Sequence, residues 1–295
     1  MANIFALHGD KLAATAATLV GKDLVLAELV RRDLNNDWGR GSGDTVYVRV
    51  PGAVAAKERA LYDTRTPLDH DELVEQTIPV TLSTHAYSSI PLSLGSLSLD
   101  LEDFAAQVLV PQADAIVKFS ERALAAAMQA TPEDATIAYD PANPAATFSQ
   151  MRRRLRNNGV SSDVPLLAVV GSGVYADLLD SNAVDENGRV RGFAVTESTR
   201  LQDSEIIAFV RDAFVLAVRA PEAPQGASYA ASVKAGGFAL LHVASFDGNV
   251  AVDRSLVSAF VGAQGMPLAV DLEDGTVELR PHAGAVRVLT DTATV

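Results

Sequence analysis

The 295-residue chain contains no cysteine. That excludes a disulfide scaffold, a thiolate nucleophile, thiolate zinc sites and iron–sulfur clusters. Basic residues are scarce as well. Against 37 Asp and Glu stand 24 Lys and Arg, a formal charge of −13, which suits the chain poorly to gripping phosphates by bulk charge. Long apolar runs are missing: Ile206 to Val210 and Ala213 to Val218 fall far short of the ~20 residues that cross a bilayer. Met1 to Val20 carries Asp10 and Lys11 and has no apolar centre, so no signal peptide is expected and the chain is expected to assemble inside a cell. Aromatics make up only 6% of residues, and the lone tryptophan, Trp38, reads as an anchor onto a neighbouring surface. What remains, 48% hydrophobic and 21% charged, is ordinary globular composition, long enough for one to three domains.

Helical spacing of Leu24, Ala27, Val30 and Leu34 predicts a first helix over Asp23 to Leu34, stopped by the turn formers Asn35 to Gly39. Gly43-Asp44 opens a strand, Thr45 to Val50, with Val46, Val48 and Val50 on one face and Tyr47 and Arg49 on the other; Pro51 ends it. From Gly52 to Gln76 the chain is charged and weakly patterned. A returning strand, Thr77 to Ser83, alternates Ile78, Val80 and Leu82, and Pro79 confines it to an edge. Together these segments predict a long hairpin with a 25-residue loop. A two-stranded ribbon is marginal alone in water, so it calls for another surface, most economically a neighbouring subunit.

Leu99 to Met128 gives the longest helical pattern, with Leu101, Phe104, Val108, Ala115, Phe119, Ala123 and Met128 near one face and a kink or restart expected at Pro111. A basic helix follows over Thr147 to Asn157, capped by Gly159, then a buried strand, Leu166 to Val170, and a short helix, Val174 to Asp180. Strands are expected around Gly192 to Thr196, at Ile206 to Val210, at Ala213 to Val218, and at Phe238 to Ser245, the last apolar on both faces and therefore central. Val250 to Phe260 has no clean period. Three short strands close the chain between Leu268 and Leu289.

The sharpest enzyme-like signal is Gly171-Ser172-Gly173-Val174-Tyr175-Ala176, which fits the G-x-G-x-x-A dinucleotide pattern between a strand and a helix, with Glu197 where a ribose-binding carboxylate would be sought. Against it, only one crossover unit is present before β-rich sequence, and glycines at such a turn serve backbone geometry alone. His8, His70, His85, His242 and His282 are scattered without metal-ligand spacing, and the acidic groups Asp69-Asp71-Glu72 and Asp271-Glu273-Asp274 lack calcium-loop spacing. Asp100, Glu102 and Asp103 suit a helix N-terminus. Arg152, Arg153, Arg154 and Arg156 form the one basic cluster; without flanking aromatics, ion pairing between subunits explains it at least as well as nucleic acid. No Ser-His-Asp set or nucleophile elbow is present. No catalytic, cofactor-binding or metal-binding residue is expected, and no cofactor.

Gly43-Asp44-Thr45-Val46 with Arg49-Val50-Pro51, Glu75-Gln76 through Val80-Thr81-Leu82, and Leu97-Ser98-Leu99-Asp100 with Asp103-Phe104 and Val110-Pro111 occur in a telling order. So do Leu155-Arg156-Asn157-Asn158-Gly159-Val160 with Leu166 to Val170 and Tyr175 to Leu179, then Gly192-Phe193-Ala194-Val195 with Glu197-Ser198, Arg211-Asp212-Ala213-Phe214 with Leu216-Ala217, and Ser232 to Leu241. Over roughly residues 20 to 265 this order resembles the tailed-phage major capsid proteins of the Hong Kong 97-type fold, in the branch similar to short-tailed phages. The resemblance implies an α+β fold: an N-terminal arm (1–43), an extended β-hairpin loop (44–98), a peripheral domain with a long spine helix (99–144), an axial domain (145–226), and a return to the peripheral domain with C-terminal strands (227–295). It implies a structural, non-enzymatic subunit that assembles through hexamers and pentamers into an icosahedral virion head around packaged DNA. Its implied partners are itself, a separate scaffolding protein, a portal and a decoration protein, with DNA contacted non-specifically at most and no membrane. Assembly would take place in the host cytoplasm. An encapsulin-type compartment shell is the alternative on the same fold; a dinucleotide-binding enzyme using Gly171 to Ala176 is another.

Overall fold

The computed structural model describes residues 25–36, 43–62, 65, 67–68, 70–93, 104–225, 227, 229–235, 238–250, 252–272 and 275–290. Expectations about His8, Trp38, Asp69, Asp100, Glu102, Asp103, residues 236–237 of the Ser232 to Leu241 segment, Glu273 and Asp274 lie outside those residues. The chain divides into two compact units, each assembled from three stretches of sequence.

The first unit takes residues 1–45, 81–128 and 214–264. Its sheet is ordered β3 (Thr84–Ser93), β11 (Val252–Gly265), β10 (Phe238–Asp247), β9 (Tyr229–Ala235), and β8 (Phe214–Arg219) also pairs with β11. The β3–β11, β11–β10 and β10–β9 ladders are antiparallel, with Val243 opposite Leu256 and Leu256 opposite Ser89. Phe238 to Val243 are buried without alternation, so β10 is the central strand its apolar run called for. β3 carried no sequence signal of its own, because His85, Tyr87, Ser89, Pro91 and Ser93 leave one face polar or exposed.

The long helix differs from its expected form. A π-helical turn, Ala105–Leu109, runs into α2 (Val110–Gln129). Pro111 has no N–H to give and its ring crowds the carbonyl four residues back, so a wider turn precedes it. That turn moves the buried stripe by one residue. Ala113, Ile116, Val117, Leu124, Ala125 and Met128 are buried, while Ala115 is exposed and Phe119 and Ala123 are half-buried.

The first helix also corrects the sequence reading. Within the described residues it is only α1 (Leu26–Leu29), followed by a 3-10 turn at Asp33–Asn36. Arg31 between them is extended: its N–H donates to the Phe214 carbonyl at 3.1 Å, and Leu216 N–H donates to the Arg31 carbonyl at 3.0 Å. Pairing with β8 satisfies backbone groups that helix continuation would have used, and tertiary context overrides the weak helical preference. The buried Glu121 carboxylate caps α1, accepting from the N–H groups of Val25, Leu26 and Ala27 at 3.1–3.2 Å.

The second unit takes residues 46–80, 129–213 and 265–295. Its sheet is ordered β14 (Ala285–Leu289), β7 (Glu205–Phe209), β4 (Leu166–Val170), β6 (Phe193–Glu197), β5 (Arg189–Val190). Only β4 and β6 run parallel, joined through α4 (Ser172–Asp180); β7 and β14 are antiparallel additions. The basic helix is α3 (Pro144–Asn157), with Pro144 in its first turn. Phe148, Met151 and Leu155 are fully buried along it, and Phe148 meets Phe193 edge-on at 5.7 Å. Its end is a Schellman cap: Gly159 N–H reaches the Arg156 carbonyl and Val160 N–H the Leu155 carbonyl, with Gly159 at φ +107°.

Candidate assembly surface

β1 (Thr45–Val50) and β2 (Gln76–Thr81) form a two-stranded ribbon. Asp44 faces Leu82 at one end (N···O 2.9 Å), and Gly52 lies against Val74 at the other, which fixes an antiparallel hairpin. Val50, Ile78 and Val80 are buried, as the alternation expected, while Tyr47 and Arg49 are exposed.

Between the strands, residues 51–75 hold neither helix nor strand among the described positions. This loop is apolar where it should not be in a free chain. Seven of the thirteen large hydrophobic residues found exposed lie on the ribbon: Tyr47, Val54, Leu61, Tyr62, Leu68, Leu73 and Val74. Leu61 is 87% and Tyr62 90% exposed, so no described residue covers them. Each such side chain is worth roughly 1.5–3 kcal/mol once buried, enough for the ribbon to be a strong association surface.

The base of the loop is held more firmly than its tip. The Gln76 side-chain amide donates to the Val277 carbonyl at 2.7 Å. The turn joining β12 (Leu268–Asp271) to β13 (Val277–Arg280) comes so close to Ala55 that a Cβ at Gly275, φ +82°, would overlap its nitrogen. Farther out, Lys57 and Asp71 form an exposed ion pair at 2.6 Å, which contributes at most about 1 kcal/mol.

The other groups singled out in the sequence are spent inside the chain. Glu197 does stand beside Val170 in the parallel β4–β6 pair, as a dinucleotide site would need. The space at the glycines, however, is taken. A Cβ on Gly171 would collide with the Gln202 carbonyl, and Gly173 N–H donates to the Asp203 carboxylate at 2.7 Å. The protein's own carboxylate sits where a pyrophosphate would have to lie.

Three of the four clustered arginines also serve the subunit itself. Arg154 pairs with Asp134 at 2.9 Å, Arg152 donates to the Arg191 carbonyl at 3.1 Å, and Arg156 donates to the carbonyls of Val160, Ser162 and Val164. Those loop carbonyls carried no sequence pattern that would have revealed the pairing. His70, His85 and His282 are exposed and His242 is buried. Among the described residues no group of three His, Asp or Glu is arranged to hold a metal ion, and no helix is long and apolar enough to cross a membrane.

No protein-family description and no curated protein sequence matches the chain. Solved structures do. One from Mycobacterium phage Che8 is 15% identical and superposes with a TM-score of 0.60 over 90% of either chain. The capsid of Ralstonia phage GP4 is 9% identical at a TM-score of 0.57, covering 90% of this chain and 88% of that one. A virus-like particle from Pyrococcus furiosus is 13% identical at 0.52, covering 94% and 97%. At these identities the likeness is one of fold, and the fold is that of the tailed-phage major capsid proteins.

Proposed function

We propose that the chain is a major capsid subunit that assembles through hexamers and pentamers into an icosahedral head enclosing packaged DNA. The observation that carries this reading is the ribbon: a two-stranded hairpin with a long loop whose Leu61 and Tyr62 have no cover among the described residues. In a shell, that surface is buried on a neighbouring copy. The first unit then takes the role of peripheral domain, with Ala105–Gln129 as spine helix, and the sheet of the second unit that of axial domain at the capsomer centre. The subunit is structural and not an enzyme, the reading that the occupied Gly171–Gly173 turn favours. A charge of −13 suits an acidic wall that confines DNA without adhering to it. Scaffolding, portal and decoration proteins are the expected partners, with assembly in the host cytoplasm before the subunit resides in the virion.

Sedimentation of the purified chain, alone and with its scaffold, tests this reading. Capsomers or shells are expected, and a protein that stays monomeric in every such condition contradicts it. A compartment shell of the encapsulin type is the second reading, favoured by the likeness to the Pyrococcus furiosus particle over nearly the whole of both chains. A cargo protein encoded beside this chain, without portal or terminase genes, would select it.

A further inference from the structure

The second unit contains a polar cavity of about 520 Å³ between the start of α3, the end of α4 and the β5 turn. Its walls include Asn143, Ser181, Asn182, Asp185, Arg189 and Arg191. In a chain with so large an acidic excess, its charge is inverted: its lining holds two arginines and one aspartate. A third guanidinium, that of Arg152, lies against Gly192 in the same wall and holds the Arg191 carbonyl at 3.1 Å.

The carboxylate is already committed. Asp185 accepts from the backbone N–H groups of Asn187 and Arg189 at 2.9 and 2.8 Å, fixing the turn that carries the arginines. Among the described residues neither the Arg189 nor the Arg191 guanidinium makes a hydrogen bond or an ion pair, although other arginines of this unit, Arg154, Arg156, Arg280 and Arg287, do. Val190 between them is fully buried, so it anchors both to the same outer wall. Among the described residues, two of the three non-glycine residues with positive φ, Asn182 (49°) and Arg191 (50°), line this one cavity. Such backbone is costly and survives where surrounding contacts hold it, here Arg152 on Arg191.

We propose that this cavity binds a doubly charged oxyanion of the phosphate class. Two guanidinium forks carried on one turn match a tetrahedral anion with several oxygens, each able to accept a charge-assisted bond. A single carboxylate neutralises only one of them. The proposal does not depend on the shell reading.

Isothermal titration of the full chain with inorganic phosphate, and separately with acetate, at matched ionic strength tests it. One saturable phosphate site per chain is expected, at least tenfold weaker in Arg189→Gln and in Arg191→Gln and unchanged in Arg153→Gln, whose side chain is exposed on α3 outside the cavity. Arg189→Gln alters an exposed side chain, and an unchanged melting temperature without phosphate shows that the variant folds. Absence of saturation by 10 mM phosphate overturns the proposal. So does equal weakening in Arg153→Gln, which would mean bulk charge, or acetate binding as tightly as phosphate, which would mean a carboxylate site.

Discussion

His242 sits at the end of a buried relay whose donors can be assigned in turn. The Gln112 amide nitrogen donates to the carbonyls of Ser88 and Ser255, so its oxygen must accept the Ser255 hydroxyl at 2.8 Å. Ser255 in turn accepts from His242 Nε2 at 3.2 Å, which leaves Nδ1 as a buried acceptor without a partner among the described residues. The ring lies between Phe104 and Tyr229. Burial pushes the His242 pKa down to about 4. Because the folded state disfavours the cation, stability is complete above the ordinary value near 6.5 and is lost as pH falls toward 4, by about 3 kcal/mol. Thermal unfolding between pH 7 and 4 should therefore show a steep loss that His242→Gln flattens; parallel curves for the two proteins would refute the assignment.

Glu205 poses the opposite problem, a fully buried carboxylate held by Arg287 at 2.5 Å, Gln129 at 2.7 Å and the Gln202 N–H at 3.2 Å. Arg287→Met leaves that charge without its cation, and denaturant unfolding should report a loss of about 3–5 kcal/mol. Gly159→Ala should lose about 1–3 kcal/mol by the same measurement. It combines a left-handed residue with a Cβ placed 2.8 Å from the Val270 methyl groups.

At the scale of elements, the ribbon separates folding from assembly. The base of its loop is braced by Gln76 and the β12–β13 turn, and its tip exposes apolar side chains that no described residue covers. Shortening 57–71 to a tight turn, which keeps Ala55 and Gln76 and removes Leu61, Tyr62 and Leu68, should leave the melting temperature within a few degrees of the parent while abolishing higher oligomers in sedimentation. Retained assembly would show that the loop does not interlock subunits.

Elements with strong local patterns were legible in the sequence: Thr45 to Val50 by alternation, Leu166 to Val170 by its apolar run, and the end of α3 by Gly159. What escaped depends on distant partners. Residues 30 to 32 leave the helix because β8 lies beside Arg31. The stripe of α2 shifts because a π turn inserts ahead of Pro111. β11, fourteen residues long, has no period because its partners change along it, β10 and β3 together with β8. The ribbon's length and its lack of a local surface could be read from residues 44 to 83; the exposure of Leu61 and Tyr62 required the structure.

For the molecule as a whole, two features set the account. Both units are assembled from distant stretches of sequence, so neither can fold before residue 214 or later is available, and many long-range pairings imply slow folding. With no cysteine to staple neighbouring copies, a shell must draw its strength from buried apolar area and ion pairs between subunits. Electron microscopy of the purified, scaffold-coexpressed chain tests the central claim most directly. Closed icosahedral shells with the ribbon of each subunit lying on its neighbour are the predicted result; particles in which Leu61 and Tyr62 remain solvent-exposed, or no particles at all, would contradict it.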